Sequence, residues 1–254
     1  MLTELLTDLR AEHEDLTRYV EKAPLALKVP AEPWDVRDTV SHLMVGDQKG
    51  TLAATAPDLF TAELPMVLAD PVGFVDGWLR AGHGLTKDEL LERWHASFDE
   101  MLRAFAQLAP GTKVPWYGPP MSPASFATAR LMEYWAHGQD VVDALGVERA
   151  PTERLRHVCH LGYRTRGFSY AVRGLEVPEG EVRLSLRAPD GSTWEWGSGD
   201  DAVEGSALDF CLRVTQRRHR ADTDLVATGP LADSWLDVAQ CFAGLPTDGR
   251  EPAR

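Results

Sequence analysis

The chain has 254 residues, 44% of them hydrophobic, and a formal net charge of −13. That apolar fraction is enough for a buried core and excludes global disorder, and the acidic balance excludes the basic footprint of a general nucleic-acid binder. An odd set of three cysteines, Cys159, Cys211 and Cys241, with no C-x-x-C pair, argues against a secreted disulfide scaffold.

The N-terminal apolar residues are interrupted by Glu4, Asp8 and Arg10. This pattern suits neither a signal peptide nor a membrane span. No run approaches the roughly 18 consecutive apolar residues that a spanning helix requires. A soluble cytoplasmic protein that binds small molecules, with neither nucleic acid nor membrane as partner, is the expectation.

Leu2, Leu5, Leu6, Leu9, Leu16 and Val20 recur at helical steps, so a first amphipathic helix is predicted from Leu2 to about Lys22. Pro24 and Pro30 frame the next loop. Asp35 is a good N-cap for a second helix with Val36, Val40 and Leu43 as its apolar stripe. His42 lies well off that stripe. Residues 56–84 are punctuated by Pro and Gly and read as loop around one short helix that Asp70-Pro71 begins. Thr86 to Glu89 is a capping box that opens a long helix ending at Pro110-Gly111. Residues 114–121 form a stiff aromatic and proline-rich loop suited to a pocket mouth or to packing. Ser122-Pro123 then starts a helix that runs to about Leu145 and stops at Gly146. Four long helices are therefore expected before residue 147, enough for a bundle.

The second half has a different texture. Residues 151–173 read as one basic helix. Residues 181–187 alternate strictly, and with 193–196 they predict a hairpin across the turn at Pro189 to Ser192. A helix after Gly205-Ser206, a short strand at 225–227 and a last helix from Trp235 to Phe242 complete a mixed unit. The predicted fold class is α+β, with a helical domain over 1–147 and a basic linker helix plus α/β domain over 148–246.

Glu133 and His137 stand four residues apart in a run without Gly or Pro, so a helix places them on one face. A carboxylate and an imidazole so placed can share a divalent cation if another element supplies a further ligand. His42 is the candidate. The plainer readings are a mild surface Glu–His pair and an exposed helix histidine. Gln139, Asp140 and Asp143 are candidate acceptors for imidazole N–H groups. Two histidines and one carboxylate suit zinc as a Lewis acid, or iron in an oxygenase-type triad. There is no H-E-x-x-H, so a zincin-type protease is not indicated. Basic clusters at 154–173 and 213–220 are either solvated helix faces and C-terminal cations, or a patch that holds carboxylates of an anionic substrate or thiol cofactor.

Trp34-Asp-Val-Arg-Asp-Thr-Val-Ser-His42, followed by Arg130-Leu-Met-Glu-Tyr-Trp-Ala-His-Gly-Gln-Asp140, resembles the mycothiol-dependent maleylpyruvate isomerase family. The resemblance implies a DinB-like four-helix bundle followed by a small, sterol-carrier-like α/β domain. It implies His42, Glu133 and His137 as metal ligands, with zinc the usual metal and mycothiol the thiol cosubstrate. It implies a mycothiol-dependent isomerase or S-transferase in which the metal-bound thiol attacks a small electrophile. An arginine of the second domain, Arg217 or Arg218, is then expected to hold a substrate carboxylate. The rival readings are a metal-assisted hydrolase or iron-dependent oxygenase on the same triad, and a non-enzymatic metal- or ligand-binding protein.

Overall fold

The computed structural model of the chain describes residues 2–31 and 33–253, without the side chain of Pro71. The chain divides into two compact units, Met1–Glu148 and Arg149–Arg254. The first unit is helical: α1 (Leu2–Val20), α2 (Val36–Thr55), α3 (Pro57–Ala69), α4 (Pro71–Arg80), α5 (Lys87–Ala106) and α6 (Pro123–Leu145). The long helices α1, α2, α5 and α6 form the bundle, with α2 packed on α5 and α1 on α6. Their stripes meet in a core of Leu9, Leu16, Val40, Leu43, Trp94, Phe98, Phe105, Phe126 and Leu131, each almost fully buried.

Residues 57–69 correct the loop expected there. Pro57 occupies the first helical turn, where its missing N–H costs nothing, and Pro65 sits inside the helix. A proline that ordinarily marks a break is tolerated here in a helix whose buried residue is Phe60. The loop after α5 closes on itself through two backbone hydrogen bonds between Val114 and Met121, of 2.8 and 2.9 Å. That closure presents Trp116 and Tyr117 to the bundle.

The second unit contains α7 (Leu155–Arg164), α8 (Arg166–Ala171), β1 (Val182–Arg187), β2 (Thr193–Trp196), β3 (Asp201–Ser206), α9 (Ala207–Val214), β4 (Val226–Thr228) and α10 (Pro230–Val238). The single basic helix expected over 151–173 is broken at Thr165 into α7 and α8. The last helix starts at Pro230 and ends at Val238, earlier at both ends than expected. Strand order is β2-β1-β3-β4, with β1 antiparallel to β2 and parallel to β3. β3 was not foreseen. To reach it, the chain must cross the start of β1, and Gly199 makes this possible: a Cβ there would lie 2.0 Å from the Glu181 carbonyl oxygen. Leu184, Leu186 and Val203 form the buried face of the sheet. Gly162 brings α7 close to α9, since a Cβ there would be 2.9 Å from Phe210 and Val214.

Among the described residues, no helix is long and apolar enough to cross a membrane. All three cysteines are buried, and the sulfurs of Cys159 and Cys211 are 3.4 Å apart. Burial, reinforced by Cys159, pushes the Cys211 thiol well above its ordinary range.

One core contact makes the bundle acid-sensitive. His13 of α1 is stacked on Phe98 at 3.9 Å between ring centroids, and its Nε2 lies 2.8 Å from His95 Nδ1. Burial first, then the charges of His95 and Arg10, pushes the His13 pKa from 6.5 down to about 3. The unfolded chain therefore takes up a proton below 6.5 that the folded chain refuses. This contribution is complete above pH 6.5 and declines as pH falls toward 3, by about 1.4 kcal/mol per pH unit. Urea unfolding from pH 7 to pH 4 should show the decline, and His13→Leu should flatten it by one proton's worth. Parallel pH profiles for the two proteins would contradict this role for His13.

Candidate metal centre

Helix α2 begins where Asp35 accepts from the Asp38 N–H at 3.0 Å and Asp38 accepts in return from the Asp35 N–H at 3.1 Å. That reciprocal cap fixes the turn leading to His42. Helix α6 is capped by Ser122 and ended by Gly146 in the left-handed region, at φ 65°. It carries Glu133 and His137 on one face.

The three side chains meet. His42 Nε2 lies 3.3 Å from Glu133 Oε2, and His137 Nε2 lies 3.5 Å from the same oxygen. One ligand atom from each residue falls within 4.8 Å of the others. The cluster is partly open, with side-chain exposures of 15% for His42, 23% for Glu133 and 9% for His137. Asp140 Oδ2 sits 3.2 Å from His137 Nδ1. A proton on Nδ1 donated to Asp140 would leave Nε2, the nitrogen facing Glu133, as the lone-pair donor to a metal. Trp34 stacks on His137 at 5.4 Å and lies 5.1 Å from His42, while Trp78 of α4 lies 5.5 Å from His42 on another side.

Protonation fits a cation. Burial pushes His42 down to about 4, with the Glu133 bond opposing only in part, so the imidazole is neutral at pH 7. At Glu133 burial acts to raise the pKa, but the hydrogen bonds and charges of His137 and His42 outweigh it and hold the carboxyl well below its ordinary range. A neutral His42 imidazole beside an ionised Glu133 carboxylate is the state a divalent metal requires of these two ligands. Two nitrogens and one oxygen so placed are a ligand set that zinc and iron both accept.

What brings α2 and α6 into this register is a buried charge cluster. Asp47, fully buried on α2, accepts from Arg130 Nη2 at 2.9 Å and from the Tyr134 hydroxyl, both on α6. Arg130 also donates to the Leu43 carbonyl at 3.1 Å, and Trp94 Nε1 donates to the Tyr134 oxygen at 2.9 Å. Burial pushes Asp47 up to about 6, with Arg130 and Tyr134 pulling it back, so the pair is ionised at neutral pH. Gly46 makes room, since a Cβ there would lie 2.8 Å from Arg130 Nη1.

The remaining candidates fall elsewhere. Of the acceptors considered for imidazole, Asp140 faces His137, and Gln139 donates to Asp143 at 2.8 Å. Arg217 and Arg218 belong to the second unit, in the turn after α9, where Gln216 takes φ 61°. Arg217 Nη1 donates to the Thr215 carbonyl at 2.7 Å and Arg218 Nη1 to the Arg217 carbonyl at 2.8 Å. Sequence reasoning overlooked Trp78 beside His42. Its signal was present in the spacing of Phe74 and Trp78, four residues apart on one face of α4.

Residues 6–142 match the family model described as the mycothiol maleylpyruvate isomerase N-terminal domain. The chain belongs to that family. Two uncharacterised proteins of Mycobacterium tuberculosis, MT0041 and Rv0036c, are each 43% identical to it over 250 residues, spanning 96% of this chain and 97% of theirs. The crystal structure of a mycothiol-dependent maleylpyruvate isomerase is similar at a TM-score of 0.60 with 16% identity, over 91% of this chain and 96% of that one. A histidine-to-alanine variant of a mycothiol-dependent maleylpyruvate isomerase gives a TM-score of 0.55 with 17% identity and the same coverage. Within the family's mycothiol maleylpyruvate isomerase fold, both units of this chain thus have a structural counterpart.

Removing the carboxylate from the charge cluster tests its role. Asp47→Ala leaves the Arg130 guanidinium buried without its partner, and the unfolding free energy should fall by about 3–5 kcal/mol. Gly46→Ala, which forces a methyl onto the guanidinium, should lower it by about 1–3 kcal/mol. Urea denaturation followed by circular dichroism reads both. An unchanged midpoint in Asp47→Ala would show that the cluster does not hold the two helices.

Proposed function

We propose that this protein is a metal-dependent thiol transferase or isomerase that uses mycothiol as cosubstrate and acts on a small electrophilic substrate bearing a carboxylate. The observation that carries this reading is the convergence of His42, Glu133 and His137 on one point, in a chain whose family is named for mycothiol and maleylpyruvate isomerisation. Zinc held by the three side chains would supply a Lewis-acid site at which a thiol is deprotonated at neutral pH.

The chain's own residues have separable tasks in this account. His42 stays neutral because it is buried, and Glu133 supplies the negative charge. Asp140 holds the His137 ring in the tautomer that turns Nε2 inward. Trp34 covers both imidazoles with an apolar face and limits water on that side. Arg217 or Arg218 is assigned to the substrate carboxylate, since a guanidinium presents a planar fork that binds a carboxylate through two parallel bonds.

The test combines metal content with thiol-dependent turnover. Protein purified without added metal should carry zinc, and His42→Ala should lose it while keeping the helical circular-dichroism signal, because His42 lies outside the apolar stripes of the bundle. Mycothiol-dependent turnover of a panel of electrophiles, read as conversion of the electrophile with and without the thiol, should require the metal, stop on chelation and be absent in His42→Ala. Replacing Arg217 should raise the KM of carboxylate-bearing electrophiles. Iron with oxygen-dependent turnover, or a full equivalent of metal retained in His42→Ala, would overturn the proposal.

A further inference from the structure

Two hydrogen-bond donors beside the candidate metal centre are buried and unpartnered: Trp78 Nε1 and the Tyr117 hydroxyl. Buried indole N–H and phenol O–H groups ordinarily find an acceptor, so two orphans on neighbouring rings call for an explanation. The rings are 5.9 Å apart, and Trp78 is 5.5 Å from His42. Phe74 lies 5.6 Å from Trp78 and 5.5 Å from Tyr117, and Phe60 and Trp116 extend the wall at 5.0 and 4.7 Å from Tyr117. A continuous run of aromatic rings thus leads away from one metal-ligand candidate.

Charge is scarce along this run. Lys49 of α2, whose Nζ lies 6.0 Å from the centre of the Phe74 ring, is tied to both carboxylate oxygens of Glu63 at 2.8 and 2.6 Å. Arg37 is spent on the carbonyls of Gly82 and Leu85, and Arg130 on Asp47 and Leu43. Burial, with the nearby Glu63 charge, pushes the Tyr117 pKa far up, so its hydroxyl remains a donor at any physiological pH. The helices that supply the wall are lightly held. Phe60 is the buried residue of α3, and no described side chain of α4 is fully buried. A ligand ring that displaced part of this packing would meet the two donors.

We infer that Trp78 and Tyr117 form a specificity subsite for an aromatic electrophile, one whose ring packs against Phe74 and whose carbonyl-type acceptor takes the indole N–H and the phenol O–H. The inference rests on the proposed thiol chemistry only in taking the ligand to be the electrophile; any carboxylate of that ligand would be held elsewhere. Rings favour this wall because it offers edge and face contacts to them. The two donors then select against a plain hydrocarbon, since a site with orphaned donors gains most from a ligand that satisfies them.

Binding of acetophenone, ethylbenzene and fumarate to the full chain, as purified and without thiol, tests this by tryptophan fluorescence. Acetophenone should bind tightest of the three. Trp78→Phe and Tyr117→Phe keep a ring and delete one donor, and each should weaken acetophenone by about five-fold while leaving ethylbenzene unchanged. Neither variant should lower the urea midpoint of the free protein, because the deleted donor has no partner there. Tighter binding of fumarate than of acetophenone, or unaltered acetophenone binding in both variants, overturns the subsite. Because no thiol is present, acetophenone binding of the expected pattern in a protein with no mycothiol-dependent turnover of any electrophile would support the subsite and retire the proposed function alone.

Discussion

The carboxylate of Asp47 is the point on which the first unit depends. It is fully buried and accepts from two residues of another helix, Arg130 and Tyr134, which flank Glu133 in sequence. An isolated buried charge would be strongly unfavourable, so α2 and α6 are stable only in the register that pairs Asp47 with Arg130. That same register brings His42 of α2 to Glu133 and His137 of α6. A structural ion pair and a candidate metal centre thus share one helix–helix contact, and the glycine at position 46 exists in a place where a side chain would push the two helices apart.

The centre itself divides labour between geometry and electrostatics. Spacing on α6 gives Glu133 and His137 a common face. Burial keeps His42 neutral, the imidazoles keep Glu133 ionised, and Asp140 lies against His137 Nδ1. Around it the walls are aromatic: Trp34 lies over both imidazoles, and Trp78 leads to Phe74 and Tyr117. An apolar surround strengthens the electrostatic interactions inside it. It also confines polar recognition to a few donors.

Much of this could be read from residues alone, for local physical reasons. The caps Asp35, Thr86 and Ser122, and the stop at Gly146, declare the ends of the long helices because each satisfies a backbone group nearby. The i,i+4 spacing of Glu133 and His137 is likewise a local property. What was misread depends on distant partners. Helix α3 contains Pro65, which locally signals a break. Strand β3 exists because Gly197 and Gly199 let the chain cross the start of β1, and its own sequence, Asp201-Ala-Val-Glu-Gly-Ser206, alternates too weakly to announce it. The orphaned donors of Trp78 and Tyr117 are a tertiary fact with no sequence signature, as is the pairing of Asp47 with Arg130.

Anomalous diffraction at the zinc absorption edge, from crystals of protein purified without added metal, tests the account most directly. The account predicts a single strong peak within about 2.0–2.2 Å of His42 Nε2, a Glu133 carboxylate oxygen and His137 Nε2. The absence of any peak there, or a peak held by other side chains while these three remain hydrogen-bonded to one another, would contradict it.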